Sequence, residues 1–328
     1  MPQPTPAALA DAPVVAHVVR NGVVESAHRA SIAVTAPDGS VLESWGDPLD
    51  PVFPRSSNKP MQAVAMLRAG LDLPAPHLAL ACASHSAEPF HLDGVRAMLA
   101  GAGLSEDDLR NTPDLPYEET ERDIWVAAGR AARPLAQNCS GKHAAMLITC
   151  QVNGWDLETY LEPDHPLQRR IAATVEDLAG EPVAATAVDG CGAPVMAISL
   201  AGLARAFGRL ATADPGTHEA RVAAAIRSHP ELLGGTRRDV TALIRGTDGA
   251  IAKDGAEAVY AVGLPDGRGV ALKVADGAAR ARAVALAAVL RRLGVASQAY
   301  PRLEDAPVLG HGEPVGAVVA VGIADRPA

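Results

Sequence analysis

Strand-patterned segments stand at both ends of this chain and helical periodicity fills the stretch between them, which leaves few architectures open. Residues 14–20, 30–35 and 41–45 read as strands, with Pro37-Asp38-Gly39-Ser40 as a tight turn before the third. Residues 258–264 and 270–275 flank Pro265-Asp266-Gly267-Arg268-Gly269 as a hairpin, a helix is predicted over 278–293, and 315–323 reads as a closing strand. Between them, helical spacing covers 91–102, 118–132, 142–152, 166–179, 197–210 and 218–228. Residues 78–83 form a short apolar run of small side chains, and 303–312 reads as a mobile loop. The expected fold is α/β (α+β): one antiparallel sheet whose two chain ends pair, with a helical portion inserted. A single catalytic domain over 1–328 is expected, its sheet portion at about 14–55 and 250–328 and its helical portion at about 56–249.

Charge and composition narrow the function classes. With 29 basic against 38 acidic residues, a net charge of −9 and no basic block, a nucleic-acid or anionic-membrane partner is disfavoured. Only 3 % of residues are aromatic, so the core must rest on Ala, Val and Leu. No apolar run approaches the ~18 residues of a membrane span. The first nineteen residues lack Lys and Arg and are broken by Pro2, Pro4, Pro6 and Pro13. That start does not read as a signal or transit peptide, and a cytoplasmic protein is expected. Four scattered cysteines, Cys82, Cys139, Cys150 and Cys191, are too few for a disulfide framework in a chain of 328 residues.

The chemistry-bearing stretch is Arg55-Ser56-Ser57-Asn58-Lys59-Pro60, which sets Ser56 and Lys59 one turn apart at a helix start. A serine hydroxyl needs a neighbouring base to attack a carbonyl, and a lysine kept neutral by burial or by a second cation can serve. The same spacing also occurs at exposed helix starts with serine as the N-cap. A second hydroxyl, Ser84, lies in Cys82-Ala83-Ser84-His85-Ser86 at the end of the small-residue run, where a strand-end turn is the alternative. Late in the chain, Lys253-Asp254-Gly255 precedes the hairpin. That order, S-x-x-K early and K-x-G late, is the one found in penicillin-binding proteins and β-lactamases. Cys139 with Lys142, and Cys191 after Asp189, offer thiolates for zinc, although from spacing alone two distant cysteines are more often buried apolar residues than metal ligands.

Taken together, Arg55-Ser56-Ser57-Asn58-Lys59-Pro60, Cys82-Ala83-Ser84-His85-Ser86, Asn138-Cys139-Ser140-Gly141-Lys142-His143, Asp164-His165-Pro166, Asp189-Gly190-Cys191 and Lys253-Asp254-Gly255-Ala256 closely resemble the Rhizobium-type, thermolabile L-asparaginases of the asparaginase II family, from about Gly22 to Ala281. The resemblance implies a penicillin-binding-protein-like (serine β-lactamase-like) fold and hydrolysis of L-asparagine to L-aspartate and ammonia. It implies two Ser-Lys tandems, Ser56–Lys59 and Ser84–Lys253, and a zinc ion held by Cys139, Lys142 and Cys191. Arg55, Asp189 and His143 match further substrate-site positions, and a homodimer is implied. On this reading Ser56, in preference to Ser84, attacks the side-chain amide. The rival readings are a glutaminase or β-lactamase-like acyl hydrolase, and a non-catalytic zinc- or amino-acid-binding homologue.

Overall fold

The computed structural model describes residues 8–323, so the prolines at positions 2, 4 and 6 and the last five residues of the expected sheet portion lie outside the described residues. The strands are β1 (Val14–Arg20), β2 (Val23–Thr35), β3 (Val41–Trp45), β4 (Pro51–Val52), β5 (Ala185–Val188), β6 (Pro194–Ser199), β7 (Ile251–Gly255), β8 (Val259–Gly263), β9 (Gly269–Val274), β10 (Pro307–Gly310) and β11 (Glu313–Ala320). The helices are α1 (Lys59–Arg68), α2 (Ala75–Ala81), α3 (Pro89–Gly101), α4 (Glu119–Ala127), α5 (Ser140–Asn153), α6 (Pro166–Ala179), α7 (Leu200–Ala211), α8 (His218–Ser228), α9 (Pro230–Leu233), α10 (Asp239–Gly246), α11 (Ala279–Arg292) and α12 (Tyr300–Leu303). Among the described residues they form two compact units: residues 8–57, 198–211 and 242–323, and residues 58–197 and 212–241.

The first unit is built on an antiparallel sheet in the order β10-β11-β1-β2-β9-β8-β7, with β3 also paired to β2. The two ends of the chain do pair: Val18 lies opposite Val318 in β1 and β11. Strand β2 is long enough to serve two neighbourhoods. Its first residues, Val23 and Val24, are exposed beside β1, while Ala30 to Thr35 are buried between β9 and β3. Val259-Tyr260-Ala261-Val262-Gly263 is a continuous apolar run, the pattern of a strand covered on both faces, and every residue of β8 and β9 is buried. Helices α7 and α11 pack on those two strands. Contact with α7 is so close that a Cβ at Gly269 would sit 1.8 Å from the Ala204 carbonyl oxygen, which is why glycine opens β9. Gly267 supplies the left-handed φ of +88° at the β8–β9 turn.

The second unit is helical around α1, which packs against α2, α5, α6 and α8. The first nine residues of α1, Lys59 to Leu67, are all buried, so this helix is enclosed all round. Gly141 lets the start of α5 meet the end of α2: a Cβ there would lie 2.4 Å from the Leu80 carbonyl oxygen.

The structure departs from the sequence expectations in several places. Most of the apolar run at 78–83 is helical: Leu78 to Ala81 are the second half of α2 and Cys82 is its C-cap, because Ala and Leu favour a helix and Pro76 sits in its first turn. The span 303–312, expected as a loop, holds a strand: β10 pairs with β11, Val308 opposite Gly316, after the short helix α12. Two strands, β5 and β6, interrupt the helical middle, Ala187 pairing with Val195, and the helix expected from 197 starts at Leu200. Lys253 lies within a strand, β7, opposite Ala261.

Candidate active site

Lysine 59 is 1 % exposed at the first position of α1. Its Nζ lies 2.5 Å from the Ala83 carbonyl oxygen and 3.1 Å from Ser84 Oγ. Ala83 and Ser84 follow the end of α2, and α1 and α2 pack together, so two helix ends deliver the amine to the hydroxyl. Within this unit, the hydroxyl at hydrogen-bond distance from Lys59 is that of Ser84, brought in from the end of another helix.

Several distant groups hold the Ser84 segment. Its N–H donates to the Leu233 carbonyl (2.9 Å), and Arg238 Nη1 donates to its carbonyl oxygen (3.3 Å). Arg238 in turn stacks over Tyr117, 4.6 Å from the ring centroid. Ser86 Oγ donates to the Gly234 carbonyl at 2.8 Å, and buried Glu88 accepts from both the N–H and the hydroxyl of Thr236, each at 2.7 Å. Glu88→Ala removes both charged hydrogen bonds and is expected to destabilise the protein by about 2–3 kcal/mol, read by denaturant unfolding. Glu88, Arg238 and Thr236 carry no local signal in the sequence; the pairing across some 150 positions appears only once the chain is folded.

Next to Ser84, His85 is wholly buried. Its Nδ1 accepts from the Ala87 N–H (3.2 Å), so its proton sits on Nε2 and is given to Ser140 Oγ at 2.8 Å. Burial holds His85 well below the ordinary histidine range, and burial likewise pushes His91 down to about 4. His143 is also held low, again by burial first and then by Lys142. These groups are neutral when folded and charge only when unfolded, so the unfolded chain binds more protons below pH ~6.5. Stability is therefore expected to fall as pH drops from ~6.5 toward 4, by about 1.4 kcal/mol per pH unit for each such histidine. Thermal melting across that window checks it.

Cys139, the N-cap of α5, and Lys142 in its first turn meet Cys191 on the loop between β5 and β6. Lys142 Nζ lies 3.2 Å from Cys191 Sγ, and Cys139, Cys191 and Ala193 form one buried cluster packed by Leu161. Cys139 pushes the Cys191 thiol down by hydrogen bonding, against the effect of burial and with help from Lys142, while Cys139 itself is pushed up. Burial opposes the charge on Lys142, but the nearby sulfurs outweigh it and raise its pKa. The pair reads as a buried ammonium and thiolate. Half-buried Asp189 acts on both and on His143, from a loop closed by Asp189 N–H on the Ala193 carbonyl (2.9 Å) and by Gly192 at φ +89°.

The remaining candidates belong to the first unit. Ser56 and Arg55 lie on a 3-10 turn, Arg55–Asn58, in which Arg55 takes a φ of +49°. Ser57 Oγ donates to the Lys253 carbonyl at 3.1 Å, which fixes that turn beside β7. Lys253 is fully buried, its Nζ donating to Asp254 Oδ1 (2.8 Å) and to the Asp254 carbonyl (2.6 Å), and Arg282 lies 3.5 Å from the same carboxylate.

The model of the family described as L-asparaginase II matches residues 16–320. The chain belongs to the L-asparaginase II family. Asparaginase-like amidohydrolase activity is what that membership supports. Comparison with curated proteins returns no match. Among solved structures, the chain is similar to a beta-lactamase from Mycobacterium bovis at 15 % identity and TM-score 0.39, covering 76 % of this chain and 88 % of that one. It is similar to EstCE1, a hydrolase with promiscuous acyltransferase activity, at 13 % identity and TM-score 0.39, covering 75 % and 88 %. A third is Mglu in its tris and glutamate form, at 15 % identity and TM-score 0.43, covering 92 % of this chain and 66 % of that one.

For this L-asparaginase II family member, the zinc expectation meets a compatible donor set. Two buried sulfurs, one of them held as thiolate, and an amine at 3.2 Å from it are soft donors of the kind zinc accepts once the amine gives up its proton. Among the described residues no three His, Cys, Asp or Glu side chains converge as a metal site, so a site here depends on lysine as the nitrogen donor. Among the described residues no helix is long and apolar enough to cross a membrane.

Proposed function

We propose that this chain is an L-asparaginase of the Rhizobium-type, thermolabile kind, hydrolysing L-asparagine to L-aspartate and ammonia through a serine ester. The observation that carries the reading is the buried Lys59 amine, 2.5 Å from a carbonyl oxygen and 3.1 Å from the Ser84 hydroxyl. A neutral amine has N–H donors and one lone pair. Donating to Ala83 leaves the lone pair for the Ser84 proton, which is the arrangement a general base requires.

In the first half-reaction Lys59 takes the Ser84 proton as Oγ bonds to the side-chain amide carbon. The proton then passes to the departing nitrogen, the C–N bond breaks, and ammonia leaves a β-aspartyl ester. Water attacks that ester in the second half, giving its proton to the same amine, and the serine is regenerated. The family pattern also offers Ser56 with Lys59 and Ser84 with Lys253, so Ser56 is the competing nucleophile. Arg55, Asp189 and His143 are assigned to holding the amino acid. Zinc held by Cys139, Lys142 and Cys191 would orient the substrate and tie the loop carrying Cys191 to α5.

Ammonia release measured with L-asparagine, D-asparagine and L-glutamine tests the reading. Turnover of L-asparagine well above the other two is the expected result. Preference for glutamine would make the protein a glutaminase, and binding without release a non-catalytic homologue.

A further inference from the structure

Tyr160 is fully buried in the connection between α5 and α6, its carbonyl oxygen accepting from Gln168 Nε2 at 2.8 Å. Its hydroxyl lies 2.7 Å from His143 Nδ1 and accepts the Arg110 backbone N–H at 3.3 Å, and the two rings meet edge-on at 71°. The other imidazole nitrogen, His143 Nε2, is buried without a hydrogen-bond partner among the described residues.

Two proton placements are open to this chain of groups. With the imidazole proton on Nδ1, the phenol oxygen accepts twice, its own proton has no acceptor, and the Nε2 lone pair has no donor. With the phenol donating to Nδ1, every group is satisfied except a single N–H on Nε2. An unsatisfied buried polar group is costly, so one orphan is favoured over two. His143 follows Lys142 in α5, and its backbone N–H donates to the Cys139 carbonyl at 3.1 Å, so the imidazole belongs to the segment that carries Cys139 and Lys142.

We propose that Tyr160 is a positioning residue that fixes His143 as the Nε2–H tautomer, so that His143 presents one buried N–H to an acceptor oxygen of the substrate. The identity of that substrate rests on the asparaginase reading; the tautomer does not. A protonated Nε2 has no lone pair, so His143 does not bind a metal through that atom, and the donor set stays Cys139, Lys142 and Cys191.

Protein labelled with 15N-histidine tests the tautomer without catalysis. His143 is assigned by comparison with His143→Gln, and long-range 1H–15N correlation at pH 7 is expected to show Nε2 protonated and Nδ1 bare. A proton on Nδ1 would overturn the proposal even if the protein turns over asparagine, whereas absence of turnover with the expected spectrum would overturn only the function. In Tyr160→Phe a mixture of tautomers is expected, with KM for L-asparagine raised about tenfold and kcat/KM lowered at least as much. A pure Nε2–H signal in that variant would show that Tyr160 does not set the tautomer, and unchanged KM and kcat would show that the N–H does not serve substrate. If Tyr160→Phe does not fold, the wild-type spectrum still decides.

Discussion

Lys59→Met is expected to lower kcat/KM for L-asparagine by about 10³- to 10⁴-fold, because it removes the base from both half-reactions. Methionine keeps the unbranched stem that fills this position, 1 % exposed at the start of α1, so the fold is expected to survive. Ser84 Oγ lies 3.1 Å from Lys59 Nζ, and Ser84→Ala is expected to show a loss of the same size. The double variant should be no worse than either single one, since the two groups act in one proton transfer. Ser56→Ala separates the two candidate nucleophiles. If Ser84 is acylated, Ser56→Ala retains ester formation, and mass spectrometry of peptides from enzyme quenched during turnover finds the aspartyl adduct on the segment holding Ser84. An adduct on the Ser56 segment would move the attack to that hydroxyl. Near-wild-type kcat in Lys59→Met would remove the Ser-Lys mechanism altogether.

Much of the architecture was legible because it rests on local pattern. Alternation and turn chemistry marked β1, β3, β8 and β9, and the pairing of the two chain ends followed from strands at both termini. Residues 78–83 were open to a strand reading because a run of small apolar residues is too short to show a period; only the packing of α2 on α1 and α5 decides it. Strand β10 was invisible for another reason. Pro307-Val308-Leu309-Gly310 is a weak strand by composition and exists because β11 offers it an edge. Within the site, Cys139, Lys142 and Cys191 are gathered although 49 positions separate the last two. The groups that escaped sequence reading are those acting through others. Tyr160 reaches His143 across 17 positions and Arg238 reaches Ser84 across 154, and nothing in their local sequence marks a partner.

Cys191→Ala is expected to abolish zinc binding and raise KM for L-asparagine several-fold or more, while turnover at saturating substrate persists. Cys139 and Lys142 sit at the start of α5 and Cys191 on the loop after β5, so one ion would tie together two segments of the second unit. A group that only orients substrate makes the same contacts in the ground state and the transition state, and its loss therefore appears in KM. The substitution has a second consequence. It leaves the Lys142 ammonium, 2 % exposed, without the sulfur now 3.2 Å away, and breaking a buried pair costs about 3–5 kcal/mol. A lower melting temperature in Cys191→Ala is thus expected even where zinc is absent, and wild-type protein stripped with a chelator isolates the metal's share. Affinity should also weaken as pH falls, because protons compete for both thiolates and for the amine. Elemental analysis alongside kinetics reads the outcome. Full zinc content in Cys191→Ala would refute the ligand assignment, and a kcat abolished at unchanged KM in the chelated wild type would place the metal in the chemistry itself.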